Sequence, residues 1–353
     1  MARSAAAGAP VKVAICVNPM SGRDVRRLAA RATNMTHEAK RDMVARVAAG
    51  AAACGATDLY VTREPFRIAA AALEHMELDA RVHVLTPRIR NSAEDTELAV
   101  QAFLDAGCET LVSLGGDGTN RALVRALGSR AERVRLIPLS TGTNNVFPVL
   151  VEPTVAGMAA ALAASGALRG APADARVEAR CKVIHVSGSG RYGLAVSDVG
   201  LIDAVLLRRD HVGNLLPFDA DRIDRLLLTR AEPDAIGMSP IGGLLYPVDA
   251  LADRGLLVQM GPGRHFQAPL SPGWFREVSV AGATPVDLGQ TVSFPGEGVL
   301  ALDGDRDHKI PAGAALSLVI RRDGPWVVDV SAAMRWAVAD GIMPDSSARH
   351  AIP

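Results

Sequence analysis

The sequence predicts an N-terminal, doubly wound, mostly parallel α/β domain followed by a β-sandwich-like domain, and three observations carry that expectation. Through the first half, β-branched apolar runs alternate with segments of helical period. An Ala/Pro/Gly stretch over 170–173 interrupts the alternation. Beyond it, short strand-like runs recur between Gly, Pro and Asp turns, and 353 residues leave room for about two domains. The division expected is a disordered lead-in over 1–10, an α/β nucleotide-binding domain over 11–169, a β-rich substrate domain over 170–322, and a C-terminal helix and tail over 323–353.

Each element follows from local pattern. Residues 11–17 form a strand that runs into the loop Asn18-Pro19-Met20-Ser21-Gly22. Asp24 opens a helix with Val25, Leu28, Ala29 and Ala32 on one face, and Thr36 caps a second helix carrying Met43, Val44, Val47 and Ala51. A strand over 82–85, a helix from Asp95 stopped by Gly107, a strand over 110–114, a helix over 120–127, a strand over 134–139 and a helix over 154–168 complete the first domain. Seven strands are expected after it, over 182–186, 194–199, 256–260, 275–280, 291–294, 299–302 and 316–320. A helical insert is expected over 219–230, and a last helix over 331–340 is stopped by Gly341.

Composition removes several function classes. The 38 basic and 38 acidic residues cancel, so no global field draws the chain to nucleic acid or to an anionic membrane. Only Lys12, Lys40, Lys182 and Lys309 are lysines, an excess of arginine that reads as coding bias. Cys16, Cys54, Cys108 and Cys181 are far apart and show neither disulfide nor zinc spacing, which fits a reducing cytoplasm. The alanine-rich start lacks the apolar core of a signal peptide, and no apolar run reaches membrane-spanning length, so a soluble intracellular protein is expected.

Chemistry concentrates where the strand over 110–114 gives way to Gly115-Gly116-Asp117-Gly118-Thr119 and a helix opening near Asn120. Glycines admit backbone N–H groups to phosphate oxygens, and a helix N-terminus favours negative charge. Asp117 is out of place beside phosphates unless it holds Mg²⁺ or takes a proton from an attacking hydroxyl; a plain tight turn with Asp117 as helix cap is the other reading. In a parallel sheet the loop of Asn18, Pro19, Ser21 and Gly22 reaches the same edge, as does that of Ser140, Thr141, Gly142, Thr143, Asn144 and Asn145. No GxxxxGK[ST] motif occurs, and the GxGxxG match over 188–193 precedes a strand pattern, which makes it a hairpin turn.

GGDGT after a strand, preceded by an NPxSG loop, resembles the NAD kinase and diacylglycerol kinase superfamily. The NPMSGRDVRRL, LGGDGTNRAL and LSTGTNNVFP segments are most similar to the ATP-NAD kinase-like protein X family associated with acetoin catabolism, and the resemblance runs to about Arg322. Ser239 to Tyr246 aligns with the SPTGSTAY segment of NAD kinases, Asp198 falls where their Asn-Glu motif lies, and Asp303-Gly304-Asp305 resembles their late DGE or DGQ turn. The resemblance implies an NAD kinase-like fold with ATP and acceptor between the domains and Asp117 as catalytic base or Mg²⁺ partner. It implies that Gly115, Gly116, Gly118, Thr119 and Asn120 hold phosphates. The loops of Asn18 to Gly22 and Thr141 to Asn145, with Asp198, Ser239, Gly242, Tyr246 and Asp305, would bind nucleotide or acceptor. Relatives of this kind suggest a homodimer or homotetramer.

Departures bear on the acceptor. Ile241, Gly243 and Leu244 replace polar members of the NAD kinase segment, and Ser197 replaces an asparagine, so hydrogen bonds that discriminate NAD are lost. Three readings stay open: an ATP- and Mg²⁺-dependent kinase with the NAD 2′-OH as leading acceptor, the same chemistry on a lipid or small alcohol, and a nucleotide sensor without turnover. Asp198 and the charged turn around Asp305 also read as ordinary turn residues.

Overall fold

The computed structural model describes residues 9–23, 34–214 and 218–343. The expected helix on Asp24, Val25, Leu28, Ala29 and Ala32 lies outside these residues, as do positions 1–8 of the lead-in and 344–353 of the tail.

The first half unfolds as β1 (Lys12–Val17), α1 (His37–Ala53), β2 (Asp58–Thr62), α2 (Ile68–Leu73), β3 (Arg81–Leu85), α3 (Glu94–Asp105), β4 (Thr110–Gly115), α4 (Asp117–Leu127), β5 (Arg135–Ser140) and α5 (Pro153–Ala164). Thr36 caps α1 as its position suggests, its Oγ1 accepting from Ala39 N at 3.0 Å. After α5 come β6 (Glu178–Arg180), β7 (Val183–Ser189), β8 (Ala195–Gly200), β9 (Asp203–Leu207), β10 (Ile223–Leu228), α6 (Ser239–Gly243), β11 (Arg254–Ser271) and β12 (Trp274–Asp287). The chain closes with β13 (Thr291–Pro295), β14 (Gly298–Leu302), β15 (Asp305–Ile310), β16 (Ala315–Arg321), β17 (Trp326–Val328) and α7 (Val330–Ala339).

Seven strands in the order β3-β2-β1-β4-β5-β17-β6 form the first sheet, parallel up to β17 and antiparallel only at β6. Side chains of α1, α2, α5 and α7 cover one face, and those of α3 and α4 the other, giving the doubly wound arrangement. Helices α1 and α5 cross unusually close: a Cβ on Gly50 would lie 1.9 Å from Thr154 O, and one on Gly157 2.0 Å from Val47 O. The second half holds two antiparallel sheets, β12-β11-β10-β9-β14-β15 and β13-β16-β7-β8. Their inner faces share one core, in which Ile184, Val186 and Leu318 of the smaller sheet meet Leu206, Leu227 and Leu300 of the larger.

Several elements depart from expectation. No helix occupies 219–230; a single 3-10 turn, Ala220–Arg222, leads into β10, a central strand between β9 and β11. The spacing of Ile223, Leu226 and Leu227 satisfies a helical period, but all three are buried within the sheet. The runs over 256–260 and 275–280 belong to one long hairpin, 18 residues of β11 against 14 of β12, turned at Gly273 with φ 68°. Strand β2 has no alternating pattern because all five of its residues are buried. The turn over 188–193 joins β7 and β8 antiparallel, as expected of a hairpin.

Candidate active site

Strands β1, β4 and β5 lie side by side, so the three loops leaving their carboxyl ends meet. Asn18 Nδ2 donates to Thr119 Oγ1 at 2.8 Å, and its Oδ1 accepts from Met20 N at 2.9 Å. The Ser21 and Thr141 hydroxyls are 2.6 Å apart, and Thr141 N donates to Gly115 O. Behind this contact, the fully buried Lys40 of α1 donates Nζ to the carbonyls of Asn18, Pro19 and Ser21 at 2.7–2.8 Å. The ammonium fixes the loop from below, a role the sequence reading assigned to no residue.

The glycines of the second loop are required by packing. A Cβ on Gly115 would meet Thr119 at 2.4 Å, one on Gly116 would meet Asn145 Oδ1 at 2.8 Å, and one on Gly118 would meet Asp305 Oδ2 at 3.1 Å. Gly142 is closed in the same way by Asn145, whose Nδ2 donates to Ser140 Oγ at 2.7 Å. Asn120 turns inward instead, accepting from Ser113 Oγ and donating to Gly116 O. Together the loops line a cavity of about 240 Å³ with Asn18, Ser21, Gly22, Thr119, Thr143 and Asn144 among its walls.

Asp117 sits in the first turn of α4, but Gly116 is the cap residue. The buried Asp117 carboxylate instead accepts from Phe147 N at 2.9 Å and from Val146 N at 3.1 Å. Burial, reinforced by the Asp303 carboxylate, pushes its pKa up to about 7, against the Phe147 and Val146 N–H groups and the Arg230 charge. Asp303, held by the N–H groups of Leu201, Ile202 and Asp203, is pushed up to about 6 by burial. Asp203 is raised well above the ordinary carboxylate range by burial and by these two neighbours. Sequence reading gave Asp303 no role beyond its turn and missed Asp203; a lone acid heading a strand offers no signal until topology pairs β9 with β14.

A second, narrower cavity of about 60 Å³ shares Asp117, Asn144 and Asp303 with the first and is also lined by Phe218, Met238, Leu270 and Trp274. Other candidates stand away from both cavities. Asp198 is buried in an ion cluster, 2.6 Å from Arg121 Nη2, 3.2 Å from Arg125 Nη1 and 2.8 Å from His308 Nε2. Burial alone would raise its pKa, but the His308 bond and the two guanidiniums hold it well below the usual range. Arg121 also reaches Asp307 at 3.0 Å and Asp305 at 3.6 Å, tying α4 to β15. Ser239 is consumed locally, donating to Arg230 O and accepting from Glu232 N. Gly242 packs beneath Leu228 and Leu256, and the Tyr246 hydroxyl accepts from Arg254 Nη1 at 3.3 Å. Pro19 lines a neighbouring apolar cavity of about 530 Å³ that shares Asn18, Met20, Ala93 and Thr96 with the 240 Å³ cavity.

Comparison with known proteins fits this geometry. Residues 13–167 match the ATP-NAD kinase N-terminal domain, and residues 182–323 match the acetoin catabolism protein X C-terminal domain. The acetoin catabolism protein X of Cupriavidus necator is 31% identical over 357 residues, covering 94% of this chain and 95% of that protein. The chain belongs to the acetoin catabolism protein X family. Among solved structures, yeast NADH kinase complexed with NADH superposes with a TM-score of 0.54 at 14% identity, over 95% of this chain and 88% of that one, which establishes the shared fold. A diacylglycerol kinase of Bacillus anthracis gives 0.45 at 12% identity, over 90% and 96%. This member of the acetoin catabolism protein X family is therefore kinase-like in architecture, and none of its described helices is long and apolar enough to cross a membrane.

Proposed function

We propose that the protein is an ATP-dependent phosphotransferase acting on a hydroxyl, with Asp117 as the base that takes the hydroxyl proton. The observation that carries this reading is the position of Asp117 in the wall shared by two cavities, one walled by the three loops and the other narrower and partly apolar. A pKa near 7 matches a base working at neutral pH. The loop cavity would take the phosphates at the N-terminus of α4, and the adjoining apolar cavity under Phe66, Pro87 and Ile89 would take the base of ATP. Among the described residues no set of three His, Cys, Asp or Glu side chains is arranged to hold a metal alone. Mg²⁺ would enter on the nucleotide, with Asp305 a cavity carboxylate able to complete its oxygen shell while Asp117 stays free to act as base. Bound there, such an ion would supply positive charge to offset that on the transferred phosphoryl group.

The segment that suggested NAD gives no local support for that acceptor, since Ser239 and Gly242 are packed into the interior and Tyr246 lines neither cavity. The name of the C. necator relative suggests a working context in acetoin catabolism. Family resemblance suggests a cytoplasmic homo-oligomer. The test is acceptor-dependent ADP release, with NADP formation followed in parallel by enzymatic cycling. Asp117→Asn is expected to abolish release while ATP still raises the melting temperature. Unchanged turnover in Asp117→Asn removes the base assignment, and absence of both turnover and ATP stabilisation removes the phosphotransferase reading.

A further inference from the structure

We infer that the 60 Å³ cavity is the acceptor site and that its occupant is a small uncharged polyol of three carbons; this rests on the phosphotransferase reading above. Size sets the first limit. At roughly 10–15 Å³ for each water-sized occupant, the cavity holds about four to six heavy atoms, so a dinucleotide does not enter it.

Hydrogen bonding sets the second limit. Asp203, 93% buried, has its Oδ1 without a partner, and so does the buried Oδ1 of Asn144; both residues line the cavity. Asn144 cannot satisfy its oxygen by flipping, because its Nδ2 already donates to Ser271 Oγ at 2.9 Å and Leu270 O at 3.2 Å. Two buried acceptors without donors are costly, and a ligand that supplies two hydroxyls removes that cost. A third hydroxyl is needed at Asp117 to receive the phosphoryl group.

Charge sets the third limit. Asp117, Asp203 and Asp303 line the same small space, and each resists further negative charge. An anionic alcohol is therefore rejected, while Phe218, Met238, Leu270 and Trp274 provide an apolar wall for the carbon chain. The raised pKa of Asp203 fits the same occupant, because a neutral carboxyl can both donate to and accept from hydroxyls.

The experiment measures ADP release by the full-length protein with glycerol, 1,2-propanediol, glycerate and NAD as acceptors. Glycerol is expected to be phosphorylated. Removal of one hydroxyl in 1,2-propanediol should raise KM about tenfold or more, and glycerate and NAD should give no release. Asp203→Ala should raise the KM for glycerol roughly tenfold and leave the KM for ATP unchanged, a split that a general loss of fold would not produce, and Asp203→Asn, which keeps a neutral side chain with an Oδ1 acceptor, should largely restore it. Asp117-dependent turnover of NAD or glycerate in preference to glycerol overturns the acceptor inference and leaves the phosphotransferase reading standing. No release with any acceptor, together with no stabilisation by ATP, overturns both.

Discussion

Asp117 and Lys40 place opposite charges on the two sides of one loop cluster, and each carries a prediction. Turnover that uses Asp117 as base should rise with pH through about 7 and level off above it. Stability should run the other way. Asp117 and Asp303 have native pKa values of about 7 and 6 against an ordinary 3.8, so the folded state holds protons that the unfolded chain releases. Their contribution is present below about pH 4 and is lost as pH rises through 6–7. Calorimetry at pH 5 and pH 8 should show a lower melting temperature at the higher pH, and Asp303→Asn, which removes one of the two groups and its repulsion of Asp117, should narrow the difference. Lys40→Met removes one ammonium from three carbonyls and should cost about 3 kcal/mol in chemical denaturation, with weaker ATP binding. Lys40→Arg should not rescue it, because a planar guanidinium cannot aim donors at three convergent oxygens from one compact centre. Three of the four lysines, Lys12, Lys40 and Lys182, each donate Nζ to backbone carbonyls.

At the scale of elements, the clearest prediction concerns the α1–α5 crossing. Gly157→Ala adds a methyl where Val47 O stands 2.0 Å away, and the mutant should lose about 1–3 kcal/mol, read as a fall of several degrees in melting temperature. Helix propensity alone predicts the reverse sign, so the measurement separates the two effects. The same contrast explains what was legible in the sequence. Strand-turn-helix units such as β4 and α4 announce themselves because period, glycine turn and helix agree locally. Strand β10 does not, because Ile223, Leu226 and Leu227 fit two periods and only the neighbouring strands β9 and β11 decide between them. The loop residues of the site were readable from their chemistry, whereas Asp203, Asp303 and Trp274 become neighbours only through pairings between distant segments. Ser239, Gly242 and Tyr246 illustrate the converse, since register with a family motif did not bring them to either cavity.

Across the whole molecule, Arg121 links the helix that starts at Asp117 to the β-rich half. It is buried, bonds to Val199 O and Leu302 O, and pairs with Asp198 and Asp307. Arg121→Met would leave Asp198 with Arg125 and His308 as its remaining side-chain partners and should cost about 3–5 kcal/mol. Calorimetry is then expected to resolve two transitions for the mutant against one for the parent. The placement of β17 has a different reach. It lies between β5 and β6, so β6 gains its ladder only through a strand that follows it by more than a hundred residues. During synthesis at about 5–20 residues per second, the first sheet therefore waits roughly 7–30 seconds after β6, with one flank open, for residues 326–328 to leave the ribosome. Aggregation of nascent chains stalled before that point would be the cellular trace of this delay.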